Sequence, residues 1–265
     1  MNAVALGFDR TVLELKMYSR EKEAVFFGFL FPVVMLTLFS VIFNDEITEG
    51  TATMSAAEFF LPGMVSAGIL LTSFQTMAMS VAVERDDGTL KRLRSTPMPA
   101  VSYFLGKVGL VVVTALAQQV LLLGVAKFAF GADLPTTADG WLTFGWVFAL
   151  GAIAGTVLGT AYSSLATARS IGAVVVAPML ILQFISGVYF DFGGIPSWLQ
   201  QVAAIFPLKW IAQGMRSVFF PDELATLEMA GSWEPGRTAL ILGAWAIGGL
   251  ILCVLTFRWF KRGTT

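Results

Sequence analysis

Residues 84–99 read ERDDGTLKRLRSTPMP and form a dense island of charge between two long apolar stretches. In the hydrocarbon core of a bilayer each of these charges would cost about 2.5–3.5 kcal/mol, so the segment must face water. Asp86 or Asp87 is a suitable helix cap, and Leu90 and Leu93 then share one face. The Thr-Pro pair that follows disfavours helical backbone. The pattern predicts a short amphipathic helix that ends in a turn.

The composition is that of an integral membrane protein. Hydrophobic residues make up 56% of the 265 residues and charged residues 13%, with a mean hydropathy of +0.77, which is too apolar for an ordinary soluble domain. The formal net charge of −1 gives no general attraction to nucleic acid. There is no histidine, and the single cysteine, Cys253, permits no intrachain disulfide. We therefore expect no catalytic site and no metal site.

The apolar runs predict six membrane spans in an all-α fold. They cover residues 24–43, 59–83, 101–130, 141–168, 171–190 and 237–257, and a bilayer requires roughly 20 residues for each. The positive-inside rule places the side with most Lys and Arg in the cytoplasm. That side carries Arg10, Lys16, Arg20, Lys22, Arg85, Lys91, Arg92, Arg94, Lys107, Arg169, Arg258, Lys261 and Arg262, and the other carries Lys127, Lys209, Arg216 and Arg237. We expect a multi-pass protein of the cell membrane with both termini cytoplasmic, in which Lys107 snorkels from the third span.

Residues 1–23 precede the first span and combine an apolar face with charged residues. The apolar positions recur at helical spacing and are Val4, Phe8, Val12, Leu15 and Tyr18. This pattern predicts an amphipathic helix that lies at the cytoplasmic interface. The alternative is a solvated tail. A cleaved signal peptide is disfavoured, because no small-residue cleavage site closes the apolar run that follows.

Residues 191–236 form neither a clean span nor a polar loop. Glycine and proline interrupt two short helical patterns, at residues 197–206 and 208–220, and neither pattern is long enough to cross a bilayer. We expect both helices to be re-entrant or to lie at the outer interface. Trp198 and Trp210 would then anchor them among the lipid headgroups.

The fourth predicted span is rich in small residues. Gly151, Gly155 and Gly159 give two consecutive G-x-x-x-G pairs, which allow another helix to approach closely. The approaching helix belongs either to the same subunit or to a second one. We favour packing within the subunit.

The charged segment also carries a family signature. The pattern E-R-x-x-G-T-L-x-x-L-x-x-T-P comprises Glu84, Arg85, Gly88, Thr89, Leu90, Leu93, Thr96 and Pro97. It resembles the cytoplasmic-loop signature of permease subunits of type-2 ABC exporters, the daunorubicin-resistance-like family. In that family the segment is a coupling helix that sits in a groove of a separate ATPase, so the resemblance implies that these residues couple the chain to an ATPase. From the residues alone, a basic loop that only fixes topology is an equally good interpretation.

The resemblance has further implications for architecture and partners. It implies one transmembrane permease domain over residues 1–265, with an interfacial helix before the first span and short external helices over the exit path. The implied partners are an ABC ATPase subunit, which would bind ATP and Mg²⁺, a second permease copy or a homologous permease, and membrane lipids. Spans two and five would flank a central cavity, with candidate lining residues Phe74, Gln75, Met79, Gln183 and Phe184. Helix packing is the alternative role for each of them.

The source of energy is constrained by what the sequence lacks. It has no phosphate-binding G-x-x-x-x-G-K-[ST] loop, since Gly106 and Lys107 are followed by Val108. The predicted spans hold no carboxylates near their centres, as a gradient-driven carrier would require. We therefore expect the membrane subunit of an ATP-driven exporter for drug-like, lipid or glycolipid cargo. The alternative is a polytopic membrane protein that transports nothing, such as an assembly factor or a lipid-acting enzyme.

Overall fold

The computed structural model of the chain is a bundle of helices, and it describes residues 3–43, 47–49 and 52–257. Four helices are long and apolar enough to cross a membrane: Ala56–Asp86, Ala100–Phe130, Ala138–Leu165 and Pro235–Thr256. Two shorter apolar helices, Phe26–Ile42 and Gly172–Ile185, fall where the first and fifth spans were predicted. The all-α membrane class is thereby confirmed. The basic C-terminal residues Arg258, Lys261 and Arg262 lie outside the described residues.

The elements are numbered here in chain order. They are α1 (Ala3–Arg20), α2 (residues 22–42), β1 (Ile47–Glu49), β2 (Ala52–Met54), α3 (Ala56–Asp86), α4 (Thr89–Arg94), α5 (Ala100–Phe130), α6 (Ala138–Leu165), α7 (Gly172–Ile185), α8 (Ser197–Ala203), α9 (Pro207–Phe219) and α10 (Pro235–Thr256). The strands form a small antiparallel hairpin in which Ile47 pairs with Met54, where only an external loop was expected. A 3₁₀ turn, Asp222–Leu227, follows α9.

Three of the membrane helices contain a π-helical turn, in which the hydrogen bonds widen by one residue. These turns are Phe26–Leu30 in α2, Leu71–Gln75 in α3 and Gly172–Val176 at the start of α7. In α3 the hydroxyl of Thr76 donates to the carbonyl of Leu71 at 3.1 Å and so satisfies an acceptor near the irregular turn. Turns of this kind interrupt the regular face of a helix and concentrate at functional sites.

Helix α3 is the centre of the bundle, and α2, α5, α6 and α9 pack around it. Its most apolar stretch is 83% buried. Two glycines of α6 allow this helix to lie close to α3: a Cβ on Gly155 would collide with the hydroxyl of Ser73, and one on Gly159 with the carbonyl of Phe74. The glycine face of the fourth span therefore packs within the subunit, as favoured from the sequence.

Helix α9 distinguishes the two expectations for the region after the fifth span, which were re-entrant helices or helices at the outer interface. It inserts among α3, α6 and α10 instead of lying at an interface. Trp210 is 2% exposed and its indole N–H donates to the carbonyl of Ala204 at 2.8 Å, so its predicted role as an interfacial anchor is wrong. Trp198 on α8 is 65% exposed and remains available for that role. The sequence pattern showed that α9 is amphipathic but not which elements would cover its faces.

Helix α1 forms as predicted, but the residues it buries and exposes are not the expected ones. Its apolar residues Val4 and Phe8 are exposed, whereas Gly7, Arg10 and Glu14 are buried. The buried face packs along α5. Arg10 and Glu14 thus face the protein, whereas Val4 and Phe8 are left uncovered, as they would be in a helix with one apolar side in lipid.

Candidate functional site

The charged segment, residues 84–99, folds into the predicted short helix. Gly88 has a φ of 79° and begins the helix from the left-handed region, where a side chain would be strained. The N-cap residue is Gly88, and the carboxylate of Asp87 just before it accepts from the backbone N–H of Thr89, the first residue of α4, at 2.8 Å. The helix ends where the hydroxyl of Thr96 donates to the carbonyl of Leu93 at 2.6 Å, immediately before Pro97.

The two faces of α4 differ sharply. Leu90 is fully buried and packs in a cluster with Met77, Val81, Tyr103 and Val111. Leu93 is half-buried against the same cluster. The exposed residues of the segment include Lys91, Arg92, Arg94, Thr96 and Pro97. The leucines therefore hold the helix to the bundle, while a strongly basic surface faces outward.

Glu84 lies at the base of the segment in a buried cluster of ionic and polar groups. This segment-side cluster consists of Arg10, Glu14, Glu84, Tyr103 and Lys107. One carboxylate oxygen of Glu84 accepts from Lys107 Nζ at 2.8 Å and from Arg10 at 3.4 Å, and the other accepts from the Tyr103 hydroxyl at 2.7 Å. Glu14 pairs with Lys107 at 2.8 Å and with Arg10 at 2.6 Å. Three helices, α1, α3 and α5, thus meet at one set of charges.

The segment-side cluster is electrically balanced, because two cations face two carboxylates. Lys107 is 1% exposed, so the expectation that it snorkels toward the membrane surface is wrong. Its ammonium points instead between two carboxylates, which compensate part of the desolvation cost of the buried charge. Removing one member of such a set leaves an uncompensated charge, which costs about 3–5 kcal/mol.

The two residues after Glu84 connect the segment to the turn between α6 and α7. Arg85 donates to the carbonyl of Ser163 at 2.8 Å and to that of Ala166 at 2.5 Å. Asp86 accepts from the backbone N–H of Ala168 at 2.7 Å. The charged segment is therefore fixed to the region between α6 and α7 and to α1, and a displacement of the segment would disturb both of them.

A cavity of about 450 Å³ opens beside the segment-side cluster. Of the five residues predicted to line a path, Gln75 and Met79 border this cavity. Phe74 instead contacts Tyr162, with ring centroids 5.4 Å apart and the rings tilted by 54°. The structure does not bring the other two to this cavity either. Gln183 is fully buried and accepts from the hydroxyl of Tyr189, and Phe184 is 52% exposed.

A second buried set of charges, the far-side cluster, lies at the opposite end of the bundle. It consists of Lys209, Gln213 and Arg216 on α9 together with Glu228. Arg216 donates to Glu228 at 2.6 Å and to the carbonyl of Gly187 at 2.9 Å. Lys209 lies 3.7 Å from Glu228 and also donates to the Gln213 amide oxygen. Burial, offset in part by Glu228, lowers the pKa of Lys209 to about 8.

Sequence reasoning did not identify most members of either cluster as interacting residues. One signal was present, since Arg10 and Glu14 are four residues apart on the polar face of α1. Another was the spacing of Lys209, Gln213 and Arg216, which places three polar side chains on one face of a short helix. Neither signal reveals the partner, because the partners lie far along the chain.

These features define a multi-pass helical membrane protein whose charged segment is braced by buried ion pairs. The sequence profile of the family described as "ABC-2 type transporter" matches residues 11–220, so the chain belongs to that family. It is also similar to the Bacillus subtilis (strain 168) protein named "Putative transport permease YvfS", with 21% identity over 209 residues that cover 77% of this chain and 82% of that protein.

Family membership confirms the resemblance seen in the charged segment. The chain is a membrane subunit of a transporter, and the family is one of transport permeases rather than enzymes. Membership also implies pairing with an ABC ATPase subunit. It favours transport over the alternative of a membrane protein that transports nothing.

Proposed function

We propose that the chain is the membrane-spanning half of an ATP-driven exporter and that a separate ABC ATPase binds its charged segment. The observation that carries this proposal is the two-faced structure of α4. Its outer face presents Lys91 and Arg92, while Leu90 and Glu84 fix its inner side to the bundle. A partner that moves this helix therefore moves α1, α3 and α5 with it. ATP and Mg²⁺ would be held by that ATPase and not by this chain.

The proposed topology has six spans and both termini on the cytoplasmic side of the plasma membrane. The four long helices supply four spans. Helix α2 is continuous over residues 22–42, about 31 Å at 1.5 Å per residue, and its apolar part, Phe26–Ile42, would need flanking residues to complete a crossing of the hydrocarbon core. Helix α7 is shorter and would need the residues after Ile185 to complete its crossing.

A working exporter would contain two such permeases, either two copies of this chain or this chain with a homologue. Helix α7 supports a second subunit, because it makes few contacts with other helices of the bundle and exposes Ile181 and Phe184. Closure of the ATPases on ATP would push the two charged segments together and switch a shared cavity between inward and outward openings. Drug-like molecules, lipids and glycolipids are the cargo classes we propose, with Gln75 and Met79 along the path.

The direct test is co-purification with a candidate ABC ATPase from the same genome, in mild detergent. We expect stable association with the unmodified chain and loss of association with the double variant Lys91→Glu/Arg92→Glu. Both side chains are exposed, so the variant should keep the fold. Helix content by circular dichroism checks that point.

A matched control reverses two exposed charges at the opposite end of the bundle. Lys127 and Arg237 are 43% and 59% exposed, and Lys127→Glu/Arg237→Glu should leave association unchanged. If the unmodified chain does not bind the ATPase, or if both double variants bind equally well, the proposed docking role of the charged segment is wrong.

A further inference from the structure

The turn between α6 and α7, residues 166–171, has an inner and an outer side like those of α4. Ala166 is 1% exposed and lies in one buried cluster with Ala78 of α3. Leu165, the last residue of α6, is 66% exposed, and Arg169 is exposed as well. An apolar inner side therefore holds the turn to the bundle, while one apolar and one basic side chain face outward.

Hydrogen bonds also join this turn to the beginning of the charged segment. Arg85 donates to two carbonyls at the C-terminal end of α6, where helix carbonyls have no partner within their own helix. The carboxylate of Asp86 accepts from the backbone N–H of Ala168 at 2.7 Å. Arg169 is the next residue along the chain, so the exposed cation of the turn lies close to the base of the charged segment.

The turn is further ordered by hydrogen bonds of its own. The side-chain oxygen of Ser170 accepts from the backbone N–H of Thr167 at 2.9 Å, and the backbone N–H of Ser170 donates to the carbonyl of Thr167 at 2.9 Å. The carbonyl of Ser170 then accepts from the N–H of Val174 at 2.8 Å and leads the chain into α7. Little conformational freedom remains to be lost when a partner binds a turn that is fixed in this way.

The outward side chains of α4 and of the turn form one basic surface. This composite surface consists of Lys91, Arg92, Arg94, Leu165 and Arg169, and all five side chains are exposed. Two helix connections that are far apart in the sequence thus present four cations and one leucine side by side. A surface that combines charges with an exposed apolar side chain suits a protein partner.

The carboxylates near the composite surface do not cancel its charge. Asp86 lies next to Arg85 in the chain and is bonded to the turn, so Asp87 is left to offset one of the four exposed cations. Glu21 and Glu23 border the same cavity as Asp87. They alternate along the chain with a basic residue on either side of Glu21, so that stretch is close to neutral.

We propose that the α6–α7 turn is a second docking element for the ABC ATPase, whose groove for α4 extends over Leu165 and Arg169. The inference rests on the proposed docking of the charged segment. The composite surface fits a groove on the ATPase that is lined with carboxylates and contains an apolar pocket for the leucine. Because the turn leads directly into α7, the ATPase would act on the fifth span as well as on α3.

Single cysteines report which positions the ATPase covers. Lys91→Cys, Arg169→Cys and Lys16→Cys chains in phosphatidylcholine nanodiscs are labelled with a membrane-impermeant maleimide, with and without a candidate ABC ATPase from the same genome. The unmodified chain, whose single cysteine is buried, gives the background. We expect the ATPase to slow labelling at positions 91 and 169 at least about tenfold and at position 16 less than about twofold.

Lys16 is the matched control. It is exposed, lies on the same side of the membrane in the proposed topology, and follows Val12 by about one helical turn on the uncovered side of α1. Equal protection of positions 16 and 169 would overturn the inference, because the ATPase would then cover this side of the protein without preference.

The labelling separates this inference from the proposed function. Protection of position 91 without protection of position 169 overturns the docking role of the turn and leaves that of α4 intact. If neither position is protected, the proposed docking of the charged segment is wrong and the present inference is wrong with it.

Charge reversal tests the same contact through affinity. Arg169→Glu should weaken association with the ATPase about tenfold at low salt, whereas Lys16→Glu should not change it. Arg169 is exposed and forms no ion pair with any residue that the structure describes, so the variant should keep the fold, which circular dichroism checks. Equal association of the two variants contradicts a docking role for the turn.

Discussion

The segment-side and far-side clusters bury similar groups but differ in balance and surroundings. On the segment side two cations face two carboxylates, which come from three helices and border a cavity of about 450 Å³. On the far side Lys209 and Arg216 share one carboxylate, Glu228, and both cations come from one helix. The space beside it is about 20 Å³, enough for roughly one water.

This difference indicates that the two clusters have different roles in the protein. A balanced cluster that joins three helices beside an open volume can exchange partners when those helices move, since each charge has a second partner in reach. A closed cluster with an excess cation depends on its single carboxylate and on fixed carbonyls. The first arrangement suits a part that transmits motion, and the second suits an anchor that holds α9 within the bundle.

The largest expected effect is the loss of the far-side carboxylate. Glu228→Ala leaves Lys209 and Arg216 buried without an anion within ion-pair distance among the described residues, and we expect a loss of about 4–5 kcal/mol in the free energy of unfolding. Glu84→Ala should cost less, about 3 kcal/mol, because Glu14 still pairs with both cations on that side. Unfolding in mixed micelles, followed by circular dichroism, measures both.

The exposed acid Asp133 provides the control for that comparison. Its side chain is 89% exposed, and Asp133→Ala should change the free energy of unfolding by less than about 0.5 kcal/mol. A Glu84→Ala variant as unstable as Glu228→Ala, or more so, would contradict the distinction between a balanced and an unbalanced cluster.

A smaller effect should appear in the interaction free energy between one lysine and one glutamate of each cluster. Lys107 lies 2.8 Å from Glu14, whereas Lys209 lies 3.7 Å from Glu228. Double-mutant cycles with Lys→Met and Glu→Gln changes should give about 2 kcal/mol for the first pair and less than about 1 kcal/mol for the second. Equal coupling energies in the two cycles would mean that the distances do not control the interaction.

The smallest expected effect is a pH dependence of the far-side cluster. The pKa of Lys209 is lowered by burial from 10.5 to about 8, so between these values the unfolded chain binds more protons than the folded one. Stability should therefore rise with pH across this window, by roughly 1 kcal/mol between pH 8 and pH 9. The Lys209→Met variant supplies the reference, because it lacks this titration. Parallel pH profiles for the two proteins would show that Lys209 does not titrate there.

Much of the architecture followed from local sequence patterns. The charged segment was predicted as a short helix that begins at Asp86 or Asp87; the helix forms, with Gly88 as its N-cap residue and Asp87 bonded to the backbone N–H of Thr89. The apolar runs fall on the observed helices, including the two that are shorter than a full span. Two predictions about side-chain exposure failed because they depended on tertiary contacts. Trp210 is a core residue because α9 inserts among three helices. Lys107 is buried because α1 brings the Glu14 carboxylate to it.

The sequence by itself determined the membrane class, the approximate position of each helix, the exposed basic segment and the family. These properties depend on composition, on helical periodicity and on the cost of charge in lipid, all of which are local. The tertiary structure alone decided that Glu14 meets Lys107, 93 residues away, and that Arg10 meets Glu84, 74 residues away. It also decided that the π-helical turns of α2, α3 and α7 border one cavity. Such contacts depend on how whole helices pack, and helical periodicity carries no information about the neighbour that each face will meet.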